Sequence, residues 1–68
     1  VSAGLLVERA GLKGARCGGA MISPVHANFI VNVGGGTAAD FLSLAKLAER
    51  RVRDLFGVTL QREFVLLE

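Results

Sequence analysis

Glu63 is a carboxylate set in an apolar stretch of the chain. Leu60 precedes it, and the four residues that follow it, Phe64 to Leu67, are all apolar. Apolar surroundings disfavour the ionised form of a carboxyl group, which is one way to prepare a general acid for proton transfer. The alternative is structural, because side chains alternate between the two faces of a strand and Glu63 would then point to solvent. The residues alone leave both interpretations open.

Two further residues could contact a ligand. His26 follows Pro24 at a turn into an apolar segment, where an imidazole could carry a proton or donate a hydrogen bond. Lys13 stands in a glycine-rich turn, where an ammonium group can meet a phosphate. An ordinary turn histidine and a solvent-exposed lysine are the alternatives. No spacing in the chain defines a catalytic triad or dyad around His26.

The run Gly34-Gly35-Gly36-Thr37 precedes a helical pattern and could cradle an anion. It lacks the lysine of a Walker motif and the spacing of the dinucleotide fingerprint, so a flexible connection is the alternative interpretation. Cys17 is the only cysteine, which excludes an internal disulfide, and it has no adjacent base. We interpret Cys17 as a small packing residue. The sequence has no metal-ligand cluster.

The elements that must position these residues can be predicted from periodicity and from helix-end signals. Ser2 is a candidate N-cap of the first helix, and Gly11 is expected to end it in the left-handed conformation. Pro24 should separate two strands. The predicted elements are a helix over 2–10, strands over 20–22 and 28–33, a helix from Thr37 to Gly57, and a last strand over 62–67.

The second helix has the strongest pattern. Thr37 and Asp40 resemble a capping box in which aspartate replaces the usual Glu or Gln, and Gly57 is expected to end the helix. Its apolar stripe consists of Phe41, Leu44, Ala45, Leu47, Ala48, Val52, Leu55 and Phe56. The order α-β-β-α-β predicts an α+β fold, a small single domain with two helices packed on one face of a short sheet. The sheet could be antiparallel or mixed, and its other face has no helix to cover it.

Composition limits what this chain can do alone. It has 68 residues, of which 51% are hydrophobic and 21% are charged. So small a body without a disulfide or metal is expected to leave an apolar face that packs on another domain or another copy.

Both ends look cut, so we expect a domain of a longer protein. A net charge of +2 disfavours nucleic acid, and no run is long enough to cross a membrane. The free cysteine fits a reducing cytoplasm.

Four segments together resemble one family. They are Ser2–Glu8 (SAGLLVE), Ala10–Gly14 (AGLKG), Gly18–Ala20 (GGA) and His26–Asn32 (HANFIVN). With Phe56-Gly57-Val58 and the closing apolar segment, their order and spacing are similar to the C-terminal, substrate-binding domain of UDP-N-acetylenolpyruvoylglucosamine reductases, the MurB flavoenzymes of peptidoglycan synthesis. The resemblance covers essentially the whole chain. It implies that the FAD-binding domains lie upstream, in the same protein, and that this chain alone is inactive.

The resemblance also implies a reaction and its residues. NADPH is the reductant, FAD transfers the hydride, and a UDP-sugar, the enolpyruvyl ether of UDP-N-acetylglucosamine, is reduced to UDP-N-acetylmuramate. Glu63 matches the family's catalytic glutamate, implied to stabilise or protonate an enol intermediate. Lys13 matches a basic position near the substrate diphosphate, and His26 and Ser2 match substrate-facing positions. Arg62 stands where the family usually has proline and could pair with Glu63.

Two other functions compete with this interpretation. A non-catalytic interaction module could have the same shape and dock through its apolar sheet face. A tight oligomer formed without any flavoprotein partner would favour that alternative. A small nucleic-acid binder is disfavoured by the nearly balanced charge, and binding to a polyanion at physiological salt would be needed to support it.

Overall fold

The computed structural model describes residues 3–60 and, for the backbone alone, Val65–Leu67. Two helices and four strands follow one another in the order α-β-β-β-α-β. Their bounds are α1 Ala3–Arg9, β1 Arg16–Cys17, β2 Ala20–Ile22, β3 Phe29–Asn32, α2 Ala38–Phe56 and β4 Val65–Leu67. The α+β class is confirmed. The two-residue strand β1 lies within 12–19, where three glycines indicate turns and short extended pieces without defining a strand, and it pairs with β2 across the turn at Gly18 and Gly19.

The strands form one mixed sheet in the order β1-β2-β3-β4. Strands β1, β2 and β3 are antiparallel neighbours, with Met21 opposite Val31 and Ile22 opposite Ile30. Strand β4 pairs in parallel with β3, and Phe29 is opposite Val65. A parallel pair requires a long crossover, which α2 provides between β3 and β4. The sheet is therefore mixed, a point that the sequence left undecided.

One face of the sheet carries the core. Ala20, Ile22 and Ile30 are buried, and they belong to one cluster with Val7 of α1 and the buried residues of α2. The buried residues of α2 are Leu44, Ala45, Ala48 and Val52. The alternate strand residues Met21, Phe29 and Val31 are only partly buried. Within the described part of the chain, no helix covers that second face, as the sequence predicted.

The C-terminal ends of both helices are fixed by the glycines that predicted them. Gly11 has a φ of 76°, its N–H donates to the Glu8 carbonyl (3.0 Å), and the Leu12 N–H donates to the Val7 carbonyl (3.3 Å). This is a Schellman motif, completed by two buried apolar side chains, Val7 and Leu12. Helix α2 ends in the same conformation at Gly57, whose φ is 68°.

The apolar stripe of α2 is narrower than its sequence suggested. Leu47, Leu55 and Phe56 are 44%, 57% and 41% exposed, although they lie within or beside the predicted stripe. The body of the domain is too small to cover the full length of a helix of 19 residues. The C-terminal end of α2 therefore presents apolar surface to solvent.

A junction at the start of α2 holds the sheet to the helix. The Asp40 carboxylate accepts hydrogen bonds from the backbone N–H of Thr37 (3.1 Å) and of Gly19 (3.1 Å). The Thr37 hydroxyl in turn accepts from the Asp40 N–H (3.2 Å), which completes the predicted capping box. One carboxylate thus caps the helix and also anchors the turn between β1 and β2.

The glycines at this junction are required by space. A Cβ on Gly19 would overlap the Gly36 nitrogen and lie 2.5 Å from the Gly34 carbonyl oxygen. A Cβ on Gly18 would lie 2.5 Å from the Asp40 carboxyl carbon. Gly35, by contrast, has open space around it and needs glycine only for its φ of 68°.

Gly19→Ala should therefore destabilise the chain more than Gly35→Ala does. The Gly35 substitution adds only left-handed backbone strain, about 1–2 kcal/mol. The Gly19 substitution forces backbone apart and should cost at or above the upper end of about 1–3 kcal/mol. Urea unfolding of both variants measures the two losses. Equal losses would show that the packing of Gly19 against Gly34 and Gly36 does not restrain the fold.

The ionised Asp40 carboxylate at this junction should also make the free energy of unfolding depend on pH in the acid range. Hydrogen bonds from the Gly19 and Thr37 N–H groups hold the pKa of Asp40 below its ordinary 3.8. Because the folded-state pKa is the lower one, this contribution is fully present above the unfolded-state pKa. It is lost as the pH falls from about 4 through the lowered folded value.

Asp40→Asn should consequently lose less stability than the parent chain between about pH 5 and pH 2. Unfolding midpoints measured across that range give the comparison, with Asp54→Asn, an exposed carboxylate of the same helix, as the control. If the Asp40 and Asp54 variants followed the same pH curve, the two backbone hydrogen bonds would not be stabilising the ionised carboxylate.

Candidate functional site

A cleft of about 360 Å³ separates α1 from the loop that joins β2 to β3. Helix α1 and the loop each contribute a wall, and the polar groups on these walls are a carboxylate, an imidazole and an amide. The lining residues are Ala3, Gly4, Leu5 and Glu8 from the helix and Val25, His26, Ala27 and Asn28 from the loop. A mixed lining of this kind suits a polar ligand of small-molecule size.

Ser23 shapes the loop wall of this cleft. It is the buried polar residue of the core region, and its hydroxyl oxygen accepts from the N–H groups of Val25 (3.1 Å) and His26 (3.2 Å). Its own N–H donates to the Phe29 carbonyl (2.9 Å), and the Phe29 N–H donates to the His26 carbonyl (3.0 Å). Pro24, which ends β2 as predicted, sits inside this closed set of bonds. The loop backbone is therefore fixed on both sides of His26.

His26 lies where a ligand can reach it. The residue is exposed and lines the cleft, and its ring meets the Phe29 ring edge-on, with centroids 5.5 Å apart and planes at 68°. This contact orients the imidazole while leaving its nitrogen atoms available to a ligand. His26 therefore lines the candidate cleft, and its contact with a ligand stays a prediction.

Gly4 allows α1 to lie close to the loop. A Cβ at this position would be 3.3 Å from the Asn28 Cβ, tighter than an ordinary contact. Asn28 is half-buried and lines the cleft, and within residues 3–60 its side-chain amide makes no hydrogen bond. Sequence analysis did not select Asn28 as a site residue. The available signal was the run of small residues at 2–4, which indicated a close approach without identifying its partner.

Lys13 stands beside the cleft and forms an ion pair with Glu8, which lines it. Its Nζ lies 2.9 Å from Glu8 Oε1, and the two side chains are 34% and 51% exposed. The hydrogen bond and charge of Lys13 hold the pKa of Glu8 below its ordinary value of 4.5. Lys13 is therefore neither a freely solvated lysine nor a lining residue of the cleft. Its partner Glu8 belongs to the helix wall of the cleft.

The glycine run at 34–37 is not available as an anion cradle. The N–H groups of Gly34 (2.9 Å) and Gly36 (3.1 Å) donate to Asn32 Oδ1, and that of Thr37 donates to Asp40. These groups are used inside the domain, so the interpretation of this run as a connection is the better one. Cys17 packs against the core as expected.

Two predicted site residues, Glu63 and Ser2, lie outside the described residues, and their roles stay predictions. Ser2 directly precedes Ala3, which lines the cleft. Across residues 3–60 and 65–67, no group of acidic, histidine or cysteine side chains could hold a metal ion. No helix in this described part is long and apolar enough to cross a membrane.

Known proteins share both the sequence and this fold. Residues 1–67 match the family described as UDP-N-acetylenolpyruvoylglucosamine reductase, C-terminal domain. A reductase of that name from Anaeromyxobacter dehalogenans (strain 2CP-C) is 55% identical over 65 residues, which cover 96% of this chain and 20% of the relative. One from Chloroflexus aggregans (strain MD-66 / DSM 9485) is 60% identical over 62 residues, covering 91% of this chain and 21% of the relative.

A solved structure has a similar fold. The crystal structure of UDP-N-acetylenolpyruvylglucosamine reductase (MurB) from Thermus caldophilus superposes with a TM-score of 0.71 at 45% identity, covering 98% of this chain and 23% of that one. The chain thus spans about a fifth of the length of its curated relatives. The match over residues 1–67 shows that this chain belongs to the UDP-N-acetylenolpyruvoylglucosamine reductase family, in which it corresponds to the C-terminal domain.

Proposed function

We propose that this chain is the substrate-binding domain of a larger flavoenzyme that makes UDP-N-acetylmuramate for peptidoglycan. The reaction reduces the enolpyruvyl ether of UDP-N-acetylglucosamine, with NADPH as reductant and with hydride transfer through FAD. The observation that carries the proposal is the family match across residues 1–67. The work of this domain is to hold the UDP-sugar and to bring a proton donor to it.

FAD is assigned to upstream domains of the same protein. A dinucleotide needs backbone N–H groups that converge on its diphosphate. In the described part of this chain, the glycine run at 34–37 already donates its N–H groups to Asn32 and Asp40. This run is therefore not proposed to hold the cofactor, and no step of the reaction is assigned to a cofactor site in this domain.

The cleft between α1 and the loop supplies substrate contacts. The imidazole of His26, oriented by Phe29, can donate to or accept from the sugar or the nucleotide. The ammonium group of Lys13, 2.9 Å from Glu8, can donate to oxygens of the diphosphate. Ser2 precedes the cleft residue Ala3, and we propose that its backbone approaches the nucleotide. These groups bind and orient the ligand without forming a bond to it.

Glu63 is the proposed acid of the reaction, where it would stabilise or protonate the enol intermediate. The sheet register supports this role. Because β4 runs parallel to β3 and Val65 is opposite Phe29, both strands begin at the same edge of the sheet. The cleft loop leads into β3 at that edge, and Glu63 precedes Val65 by two residues in the sequence. The neighbouring Arg62 could pair with Glu63 and favour its ionised form, whereas only the protonated carboxyl can donate to the enol intermediate.

Glu63→Gln in the full-length enzyme should separate the two half-reactions. Reduction of the flavin by NADPH should be unchanged, because Glu63 is assigned to the sugar substrate. Oxidation by the enolpyruvyl substrate should slow roughly 100-fold or more, the range expected for loss of a positioned acid. Stopped-flow absorbance of the flavin measures each step, with Asp54→Asn as a control. An unchanged second half-reaction would remove Glu63 from the mechanism.

Lys13→Met and His26→Ala should weaken substrate binding more than they slow turnover. Loss of a hydrogen bond from a charged donor should raise KM roughly tenfold for Lys13, with a smaller rise for the neutral contact of His26. Steady-state kinetics of the full-length enzyme provide KM and kcat separately. Lys46→Met, which removes an exposed lysine of α2, is the matched control. A KM unchanged by both substitutions would contradict the assignment of the cleft to the substrate.

A further inference from the structure

Lys13 projects from a backbone that is held on both sides. The Schellman motif at Gly11 reverses the chain after α1 and buries Leu12 directly before Lys13. Directly after it, the Gly14 N–H donates to the Ile22 carbonyl (2.9 Å). The lysine side chain thus leaves from a fixed point and turns back to Glu8, on the last turn of α1.

Glu8 lies on the cleft side of this pair. Its side chain lines the cleft, whereas Lys13 does not, so the negative member of the pair faces the space that a ligand would enter. A phosphate approaching Lys13 from the cleft meets the Glu8 carboxylate first. The two like charges repel each other at close range, and the ammonium group that attracts the phosphate is already partly neutralised.

Two effects of Glu8 on ligand binding oppose each other. Glu8 could hold Lys13 ready for a ligand, or it could compete with the ligand for the ammonium group. A pair as exposed as this one contributes little rigidity, because water screens it and both side chains stay mobile. Water screens the repulsion between the carboxylate and a phosphate as well, but this repulsion grows with each charge on the phosphate, whereas the exposed pair offers one weak contact. Competition therefore dominates.

We propose that Glu8 is a built-in countercharge that an anionic ligand must displace from Lys13, and that its repulsion weakens the binding of a diphosphate more than that of a singly charged anion. The proposal rests on the proposed function, since it assumes that Lys13 meets the diphosphate. A group with more than one negative charge can replace the carboxylate, because it attracts the ammonium group more strongly.

Binding of two probes to the full-length enzyme tests this proposal. Inorganic pyrophosphate and UDP are titrated into the selectively 15N-labelled parent enzyme, Glu8→Gln, Lys13→Met, the double variant and Asp54→Asn, while the amide signals of Gly14 and His26 are followed. Removing the competing charge should tighten pyrophosphate binding roughly 3- to 10-fold in Glu8→Gln. Added salt should weaken binding to Glu8→Gln more steeply than binding to the parent chain, because Lys13 is then unpaired.

The other variants separate the effect of Glu8 on Lys13 from a general effect of removing a negative charge. Lys13→Met should lose binding, Glu8→Gln should not restore it in the double variant, and Asp54→Asn should bind as the parent does. Amide spectra outside the cleft, unchanged between variants, verify the fold. Unchanged or weaker binding by Glu8→Gln overturns the proposal, as does an equal gain in acetate binding.

The same titrations distinguish this proposal from the proposed function. If Glu8→Gln tightens pyrophosphate but UDP binds no better than pyrophosphate, the countercharge stands and nucleotide recognition by this domain fails. If UDP binds the parent chain and Glu8→Gln does not tighten it, the proposed function stands and the countercharge fails. If neither probe binds any variant, both fail.

Discussion

The Asp40 carboxylate is the interaction on which the rest of this domain depends. One oxygen accepts from the Thr37 N–H, which begins α2, and from the Gly19 N–H, which lies in the turn between β1 and β2. The Gly19 carbonyl accepts from Val33 at the end of β3 (2.9 Å). A helix start, a hairpin turn and a strand end therefore meet at one point. Gly19 and Gly36 are required there, because a Cβ on either residue would clash with the backbone of the other.

Strand β2 connects the junction at Asp40 to the cleft. Its first residue, Ala20, follows Gly19, and its last, Ile22, precedes Ser23, whose hydroxyl oxygen fixes the loop wall. The Ile22 carbonyl also accepts from Gly14, next to Lys13. The loop wall and the neighbouring cation are thus tied to strand β2, in which Ala20 and Ile22 are buried. This explains how a small domain can present a defined site without a disulfide or a metal in its described part.

Sequence alone could predict the features that depend on local chemistry. Thr37 with Asp40 indicated a capping box, Gly11 and Gly57 indicated left-handed helix ends, and Pro24 indicated a break, because each signal lies within a few residues of its effect. The parallel pairing of β4 and the Gly19–Asp40 bond depend on partners distant in the chain, so no local pattern reveals them.

The residues of the candidate site could be predicted to a similar extent. His26 was selected as a candidate, and the structure places it in the cleft. Lys13 was selected too, but its pairing with Glu8 follows from the reversal at Gly11, and the place of Asn28 follows from how closely α1 approaches the loop. The exposed Leu55 and Phe56 show the same limit, because periodicity predicts which side of a helix is apolar and not how far the sheet beneath it extends. Glu63 and Ser2 rest on the family resemblance.

The most direct test of the account is to locate the UDP-sugar on this domain. Amide shifts of the 15N-labelled chain are recorded while the enolpyruvyl ether of UDP-N-acetylglucosamine is added. The account predicts saturable shifts at Gly4, Gly14, His26 and Asn28, around the cleft, with the C-terminal half of α2 unchanged. Shifts confined to the open face of the sheet, at Met21 and Val31, or no shifts at all, would contradict it.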